Sequence, residues 1–117
     1  NLIVGGSGKT PFAIELIKFF NDKKIAYILR GYGRKSKGLV VVKNEGKILC
    51  DVKISGDEAM LVAKECDCIV IVSEDRFKAI NLAKNLGANL IILDDAFLKP
   101  IKKFDILLEP KKITNFF

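Results

Sequence analysis

The fold of this chain is decided by the stretch Leu2–Thr10, which reads LIVGGSGKT. Its apolar start predicts a short buried strand, its glycines predict a tight turn, and the amphipathic run after Thr10 predicts a helix. A strand, a glycine-rich loop and a helix in this order form the context of a phosphate-binding loop. The glycines let successive backbone N–H groups face one anion, and the helix N-terminus adds partial positive charge. The stretch therefore predicts a nucleotide-phosphate site.

The candidate phosphate ligands in this loop are Gly5, Gly6, Ser7, Gly8, Lys9 and Thr10. Lys9 is expected to reach the β- and γ-phosphates, which also makes it a candidate catalytic residue, and the Thr10 hydroxyl is expected to ligate Mg²⁺. The full pattern G-x-x-x-x-G-K-[ST] has glycine where this chain has Ile3. The alternative is a strand–turn–helix corner whose glycines only permit tight packing.

The composition is that of a globular domain. The chain has 117 residues, of which 50% are hydrophobic and 29% are charged, and this length favours one domain. No apolar run approaches the ~18 residues that span a bilayer, and no signal peptide is visible. Because the chain begins at Asn1 without Met and ends at the apolar Phe117, we expect 1–117 to be an incomplete nucleotide-binding domain from a longer protein.

The three cysteines predict free thiols. Cys50, Cys66 and Cys68 lack the spacing of metal ligands, and the chain has no histidine. Reduced cysteines in a cytosolic protein are the expected state.

Positive charge is concentrated in one glycine-containing loop, residues 30–38, called the basic loop below. Its basic residues, with no acid among them, are Arg30, Arg34, Lys35 and Lys37. The net charge of +6 favours anionic partners. A phosphorylated small molecule or a lipid head group suits the loop at least as well as nucleic acid, since Tyr32 alone supplies an aromatic ring and no nucleic-acid module signature appears. We therefore expect no nucleic-acid partner.

The rest of the chain alternates short apolar strands with helices. Strands are predicted at Ile25–Leu29, Leu39–Lys43, Lys47–Cys50, Ile69–Val72, Leu90–Leu93 and Asp105–Leu108. Helices are predicted from near Lys9 to near Asn21–Lys24, from Ser55, and from Glu74 to about Leu86. This alternation predicts parallel βαβ units. The expected fold class is α/β, a P-loop NTPase-like parallel sheet with helices on both faces and a small β-hairpin insertion.

Two local patterns refine the helices. Helical spacing places Phe12 and Phe19 on the apolar face of the first helix and makes Phe77 a packing position of the last. Ser55 followed by Glu58 three residues later is a capping-box pattern, which predicts that the middle helix begins at Ser55.

An acidic pair follows the strand Leu90–Leu93. A carboxylate at a strand end can hold Mg²⁺ beside the phosphates, so Asp94 and Asp95 are candidate metal ligands together with Thr10. The alternative is a solvated turn. The chain lacks the Asn/Thr-Lys-x-Asp element with which many GTPases recognise guanine, and this absence favours ATP.

Asp57 stands where a loop becomes a helix, in Gly56–Glu58. A carboxylate near the γ-phosphate can orient or deprotonate an attacking hydroxyl. The alternative is an ordinary acidic partner of the helix dipole. Arg76 also has two possible interpretations, an anion ligand or a surface residue of its helix.

Four motifs recur here in an order that resembles one protein family. They are N-L-x-V-G-G-x-G-K-T-P at Asn1–Pro11, R-G-Y-G at Arg30–Gly33, G-D-E at Gly56–Glu58 and D-D at Asp94–Asp95. The series resembles the tetraacyldisaccharide 4'-kinases, the lipid A 4'-kinases of Gram-negative bacteria, over nearly the whole chain. That family also lacks glycine at the position of Ile3.

The resemblance implies an enzyme that transfers the γ-phosphate of ATP, with Mg²⁺, to the 4'-hydroxyl of a tetraacyldisaccharide 1-phosphate, the lipid A disaccharide precursor. It implies a peripheral location on the cytoplasmic face of the bacterial inner membrane, with membrane contact through regions outside this chain. Gly5–Thr10 and Arg30 would bind the nucleotide, and Asp57 would be the catalytic base. Asp94 and Asp95 match the acidic pair near the metal.

The chain departs from this family at two points. After the acidic pair the family usually continues G-[FL]-Q-H, whereas this chain reads Ala96-Phe97-Leu98-Lys99. The family's base works with a histidine from a later region, and this chain has none. We therefore expect residues 1–117 alone to bind nucleotide poorly. Two other functions stay open: a nucleotide-dependent switch or assembly ATPase, and a kinase of a small metabolite.

Overall fold

The structure, a computed structural model, describes the backbone of residues 2–3, 9–94 and 103–108 and the side chains of residues 12–94. Its strands are β1 (Leu2–Ile3), β2 (Ile25–Leu29), β3 (Val40–Asn44), β4 (Lys47–Ile48), β5 (Ile69–Val72), β6 (Leu90–Asp94) and β7 (Lys103–Leu108). Its helices are α1 (Lys9–Phe19), α2 (Val52–Ser55), α3 (Asp57–Glu65) and α4 (Arg76–Asn85).

The strands of the described backbone pair into one sheet in the order β1-β7-β6-β2-β5-β3-β4. The central strands β6, β2 and β5 run parallel, while β7 and β3 pair antiparallel with them on either side. The predicted α/β fold is confirmed, and its parallel part is this central trio. The outer strand β3 runs antiparallel to β5 because the chain returns from β2 to the sheet without a crossover helix.

Helices cover both faces of the sheet, and β2 shows how its side chains divide between them. Successive side chains of a strand point to opposite faces. Tyr27 shares one core with Ala13 of α1 and Val62 of α3. Ile28 shares the other core with Ala79 of α4. The face of α1 and α3 and the face of α4 are therefore separate hydrophobic layers, as predicted for βαβ units.

The parallel strands end together at one edge of the sheet, called the carboxyl edge below. Here β2 ends at Leu29, β5 at Val72 and β6 at Asp94. The helices α1, α3 and α4 all begin at this edge, because each returns to the start of the next parallel strand. Leu2 of β1 pairs with Phe104 of β7, which also pairs with Asp94. Thus β1 ends at the carboxyl edge too, two strand spacings or about 10 Å from β6.

The buried strands are where the sequence predicted them. The predicted bounds of β2 and β5 agree with the structure, and β6 extends one residue further, to Asp94. The predicted hairpin is present, with Asn44 paired to Lys47. Its two connecting residues, Glu45 and Gly46, have φ values of 50° and 77°, as a two-residue hairpin turn requires.

The predicted capping box is wrong. The helix α3 begins at Asp57, its N-cap is Gly56, and that cap makes no side-chain hydrogen bond. Ser55 instead ends the short helix α2, which the sequence did not predict, and its hydroxyl donates to the Gly56 carbonyl. The helix α2 forms because Asp51 caps it, accepting from the Ile54 N–H at 3.1 Å.

Three aromatic residues are more exposed than predicted. Phe12, Phe19 and Phe77 are 37%, 77% and 66% exposed. The core contact of α1 is made by small and branched residues such as Ala13 and Ile17. Phe77 lies in the first turn of α4 beside the Arg76 guanidinium, 5.2 Å from the ring centre, which is a cation–π distance.

Candidate functional site

Asp94 is a buried carboxylate at the carboxyl edge. It ends β6 and is 2% exposed. Because side chains alternate along a strand, Asp94 shares the face of Ile92, which packs in the core with α1 and α3. Asp94 therefore lies on the side of the sheet where the glycine-rich loop leads into α1.

Two acids near this edge influence the pKa of Tyr27. Its side chain is buried in the middle of β2. Burial, and next to it the carboxylates of Asp94 and Glu58, raise the pKa of Tyr27 well above its usual value. The Tyr27 phenol is thus within electrostatic range of a carboxylate at the end of β6 and of another in the first turn of α3. Asp94 and α3 both lie on the α1/α3 face of the sheet.

The structure describes the strand before the predicted phosphate loop and the helix after it. The strand β1 ends at Ile3, and α1 begins at Lys9 with Thr10 in its first turn, both at the carboxyl edge. Gly5–Gly8 lie outside the described residues, as does Asp95. The N-terminus of α1 and Asp94 share one edge and one face, as the predicted Mg-nucleotide site requires.

Asp57 is the first residue of α3 and is exposed at the same edge. The preceding Gly56 has φ of +86°, and this residue alone separates α2 from α3. An added Cβ there would lie 3.4 Å from the Tyr32 carbonyl oxygen and 3.6 Å from the Arg34 Cβ. The basic loop therefore packs directly on the turn that carries Asp57.

Arg30 leaves the end of β2 toward the start of α4. Its Nη1 donates to the Glu74 carbonyl at 3.4 Å. The side chain is partly exposed, so it is available to an anion at the carboxyl edge. Arg30 and Asp57 are thus brought to one edge, as predicted.

Arg34 differs from the other basic residues of the loop. Its side chain is 3% exposed, and its Nη2 lies 2.7 Å from the Glu74 carboxylate. The sequence grouped Arg34 with Arg30, Lys35 and Lys37 as ligands for an anionic partner. For Arg34 this grouping is wrong, because its charge is directed inward and paired with an acid 40 residues away. No local sequence pattern predicts such a pairing. Tyr27 is different, because a tyrosine within the apolar strand IAYIL can be recognised from the sequence as a buried polar group.

Cavities also occur in the described part of the chain away from the carboxyl edge. Two adjoining cavities of about 390 Å³ each open at the opposite edge of the sheet. Both are lined by residues at or just before the starts of β2 and β5, including Lys23, Ile25 and Asp67. Within the described residues no group of three potential metal-ligating side chains occurs, and no helix is long and apolar enough to cross a membrane.

The sequence model of one protein family, described as tetraacyldisaccharide-1-P 4'-kinase, matches residues 1–106. The chain belongs to this family. The resemblance found in the sequence motifs is thereby confirmed, and the site residues predicted from the tetraacyldisaccharide 4'-kinase motifs fall within the matched range.

Several curated members of the tetraacyldisaccharide 4'-kinase family match closely. The proteins of Aliarcobacter butzleri and Campylobacter jejuni are 57% and 56% identical over 113 residues. The Helicobacter pylori protein is 47% identical over 112 residues. Each alignment covers 95% of this chain, which spans only 35% to 36% of the length of these curated relatives.

A solved tetraacyldisaccharide 4'-kinase structure has the same fold. The LpxK of Aquifex aeolicus, crystallised in complex with ATP, is 43% identical with a TM-score of 0.73. The match covers 84% of this chain and 32% of that protein. At 43% identity the two proteins are related in sequence as well as in fold.

Proposed function

We propose that the full-length protein is an ATP-dependent tetraacyldisaccharide 4'-kinase, which transfers the γ-phosphate of ATP to the 4'-hydroxyl of a tetraacyldisaccharide 1-phosphate in lipid A biosynthesis. The observation that carries the proposal is that α1, α3 and β6 place three motifs at one sheet edge. These are the start of α1 after the glycine-rich loop, Asp57 and Asp94. Family membership and the ATP complex of the Aquifex relative support the same assignment.

Nucleotide binding is assigned to the loop that enters α1. Backbone N–H groups of Gly5–Gly8 and the N-terminus of α1 would hold the phosphates, because both present positive partial charge to an anion. Lys9 would add a full charge at the β- and γ-phosphates. Arg30, partly exposed at the carboxyl edge, would bind the nucleotide from the side of β2.

The residues at this edge also fit a magnesium ion. Asp94 offers a carboxylate on the α1 face, and Thr10 lies in the first turn of α1. Asp95 follows directly in the sequence. Oxygen atoms of this kind are the ligands that Mg²⁺ prefers. When bound, the ion would neutralise charge on the phosphates, and the chain's part is to hold it with Asp94, Asp95 and Thr10.

The proposed base is Asp57. Its carboxylate is exposed at the start of α3, where it can accept the proton of the acceptor 4'-hydroxyl. The 4'-oxygen then bonds to the γ-phosphorus, the bond from that phosphorus to the β,γ-bridging oxygen breaks, and ADP leaves. Proximity and charge stabilisation supply most of the rate enhancement in such a transfer.

The acceptor implies where the protein works. We propose a peripheral location on the cytoplasmic face of the inner membrane, where an acylated disaccharide is held by its lipid chains. The exposed part of the basic loop at the carboxyl edge would face anionic groups there. Attachment would use regions outside this chain.

The test is transfer of label by the full-length protein from γ-labelled ATP to tetraacyldisaccharide 1-phosphate. Asp57→Asn should lower kcat by about 10²- to 10⁴-fold while the Kd for ATP stays unchanged. The matched control is Asp67→Asn, an exposed aspartate at the opposite edge. Absence of label at the 4'-position in the wild type would refute the kinase proposal. ATP hydrolysis that the acceptor does not stimulate would indicate a switch or assembly ATPase instead.

A further inference from the structure

Arg34, whose own side chain is buried, is the centre of a polar network in the basic loop. Its Nη1 donates to the Ser36 hydroxyl at 2.9 Å. Its Nη2 donates to the Gly38 carbonyl at 2.6 Å and to the Glu74 carboxylate at 2.7 Å. The other oxygen of Glu74 accepts from the Gly38 N–H at 2.9 Å. Arg34, Ser36, Gly38 and Glu74 are called the Arg34 network below.

The Arg34 network fastens the basic loop to the start of α4. Glu74 lies between β5 and α4, and its backbone carbonyl also accepts from Arg30. Partial desolvation opposes ionisation of Glu74, but backbone N–H donors and the Arg34 guanidinium outweigh it, so the pKa of Glu74 is lowered. Glu74 therefore contacts both arginines of the loop, Arg34 through its carboxylate and Arg30 through its backbone carbonyl.

The Arg34 network also fastens the loop to α2. The Ser36 hydroxyl donates to the Ile54 carbonyl at 2.6 Å, and the Lys35 N–H donates to the Lys53 carbonyl at 2.7 Å. Ile54 is two residues before Gly56, whose Cα faces the Arg34 Cβ. We therefore expect a shift of Arg34 to displace the residue that precedes Asp57.

The Arg34 side chain packs closely against Gly31. A Cβ at Gly31, where φ is +81°, would lie 2.8 Å from the Arg34 Cδ and 3.1 Å from the Val72 Cβ. The side chain thus lies over a glycine that has no room for a larger residue. The guanidinium is almost fully buried and already donates three hydrogen bonds within the protein, which leaves little of it for a substrate phosphate.

We propose that Arg34 is a positioning residue: it fixes the basic loop against the turn that carries Asp57, and it does so without contacting substrate. Arg30 and Asp57 are thereby held at a set separation across the carboxyl edge. The inference rests on the proposed function, because Arg30 and Asp57 are the groups assigned to the nucleotide and to the acceptor hydroxyl.

The kinetic test uses Arg34→Lys in the full-length protein, since lysine keeps the charge but lacks the planar fork that bonds three partners. We expect kcat to fall about 10- to 100-fold, because a displacement near 1 Å has this effect on phosphoryl transfer. The Kd for ATP, measured by calorimetry, should change less than about threefold. The matched control is Lys53→Met, an exposed lysine on the adjacent α2.

Two results of this test would overturn the proposal. One is a folded Arg34→Lys protein with wild-type kcat. The other is a loss of ATP affinity that parallels the loss of kcat, since that pattern indicates direct contact with the nucleotide. If Arg34→Lys does not fold, Ser36→Ala decides the same question, because it removes the tie to Ile54 and leaves the Glu74 pair in place.

Amide hydrogen exchange tests the coupling without any turnover. Arg34→Lys should speed exchange in residues 31–38 and also in residues 54–57, whereas Lys53→Met should leave both segments unchanged. Unchanged exchange at 54–57 would overturn the proposal. If the wild type transfers no phosphate, the proposed function fails, and this measurement still decides whether Arg34 holds the Asp57 turn.

Discussion

Replacement of Lys43 by methionine tests how α3 is held at its far end. A register shift in the β3–β5 pairing between Val41 and Lys43 marks a bulge of the kind that re-aims a side chain. The Lys43 side chain lies beneath the C-terminus of α3, and its Nζ donates to the carbonyls of Ala63 and Cys66, each at 2.7 Å. The residue is only 9% exposed. A buried ammonium thus caps the helix whose other end carries Asp57.

The magnitude follows from what the substitution leaves behind. Lys43→Met removes both donors and the cation at a helix C-terminus, an interaction of about 0.3–1 kcal/mol by itself. Two buried carbonyls then lack a partner, at about 1–3 kcal/mol each. Relief from burying the ammonium and the good fit of methionine offset part of this cost. We expect the free energy of unfolding to fall by about 2–3 kcal/mol.

Hydrogen exchange in the full-length protein localises the effect. Amides of α3 should exchange about 30- to 150-fold faster in Lys43→Met, which is the expected free energy converted at 1.4 kcal/mol per tenfold. The matched control is Lys64→Met, which removes the same charge from the exposed side of the same helix turn. It should stay within about 0.5 kcal/mol of the wild type. Equal exchange in the two variants would refute the reasoning that Lys43 caps α3.

Three further predictions concern single residues. Gly56→Ala should lower stability by about 1–3 kcal/mol in urea unfolding and lower kcat as well, because alanine is strained at φ of +86° beside Asp57. Burial raises the pKa of Cys68 to about 12, so in native protein at pH 8 a thiol reagent should label the partly exposed Cys50 first and Cys68 only after unfolding. The lowered pKa of Glu74 means that its stabilising contribution is present above the ordinary glutamate pKa and is lost as pH falls through the lower folded-state value. The stability difference between wild type and Glu74→Gln should therefore shrink in acid.

The buried parts of the fold were readable from the sequence. The strands β2 and β5 are continuous apolar runs bounded by polar residues, so their periodicity and length identify them without tertiary information. The carboxyl edge follows from the same alternation, because parallel strands connected by helices end together. It was therefore predictable that Asp57 and Asp94 lie at the same edge of the sheet.

What the sequence did not predict depends on contacts between distant residues. The capping box at Ser55 failed because Asp51 caps a short helix just before it, and the chain must turn at Gly56 to start α3. Phe77 is exposed because the buried face of α4 consists of Ala79, Ile80 and Ala83 and does not include it. The pairing of Arg34 with Glu74 spans 40 residues and has no local signature.

Two basic residues act at opposite ends of α3, the helix that carries Asp57. Lys43 donates to a carbonyl at the C-terminus of α3. Arg34 packs the basic loop against the turn at the N-terminus of α3. Loss of Lys43 removes a cap far from the site, so stability should fall while the geometry around Asp57 in the remaining folded molecules is kept. Loss of Arg34 disturbs that geometry directly, so kcat should fall in molecules that remain folded. If both substitutions lowered kcat per folded molecule equally, α3 would have to move as one rigid body. That result would contradict the view that its two ends are positioned independently.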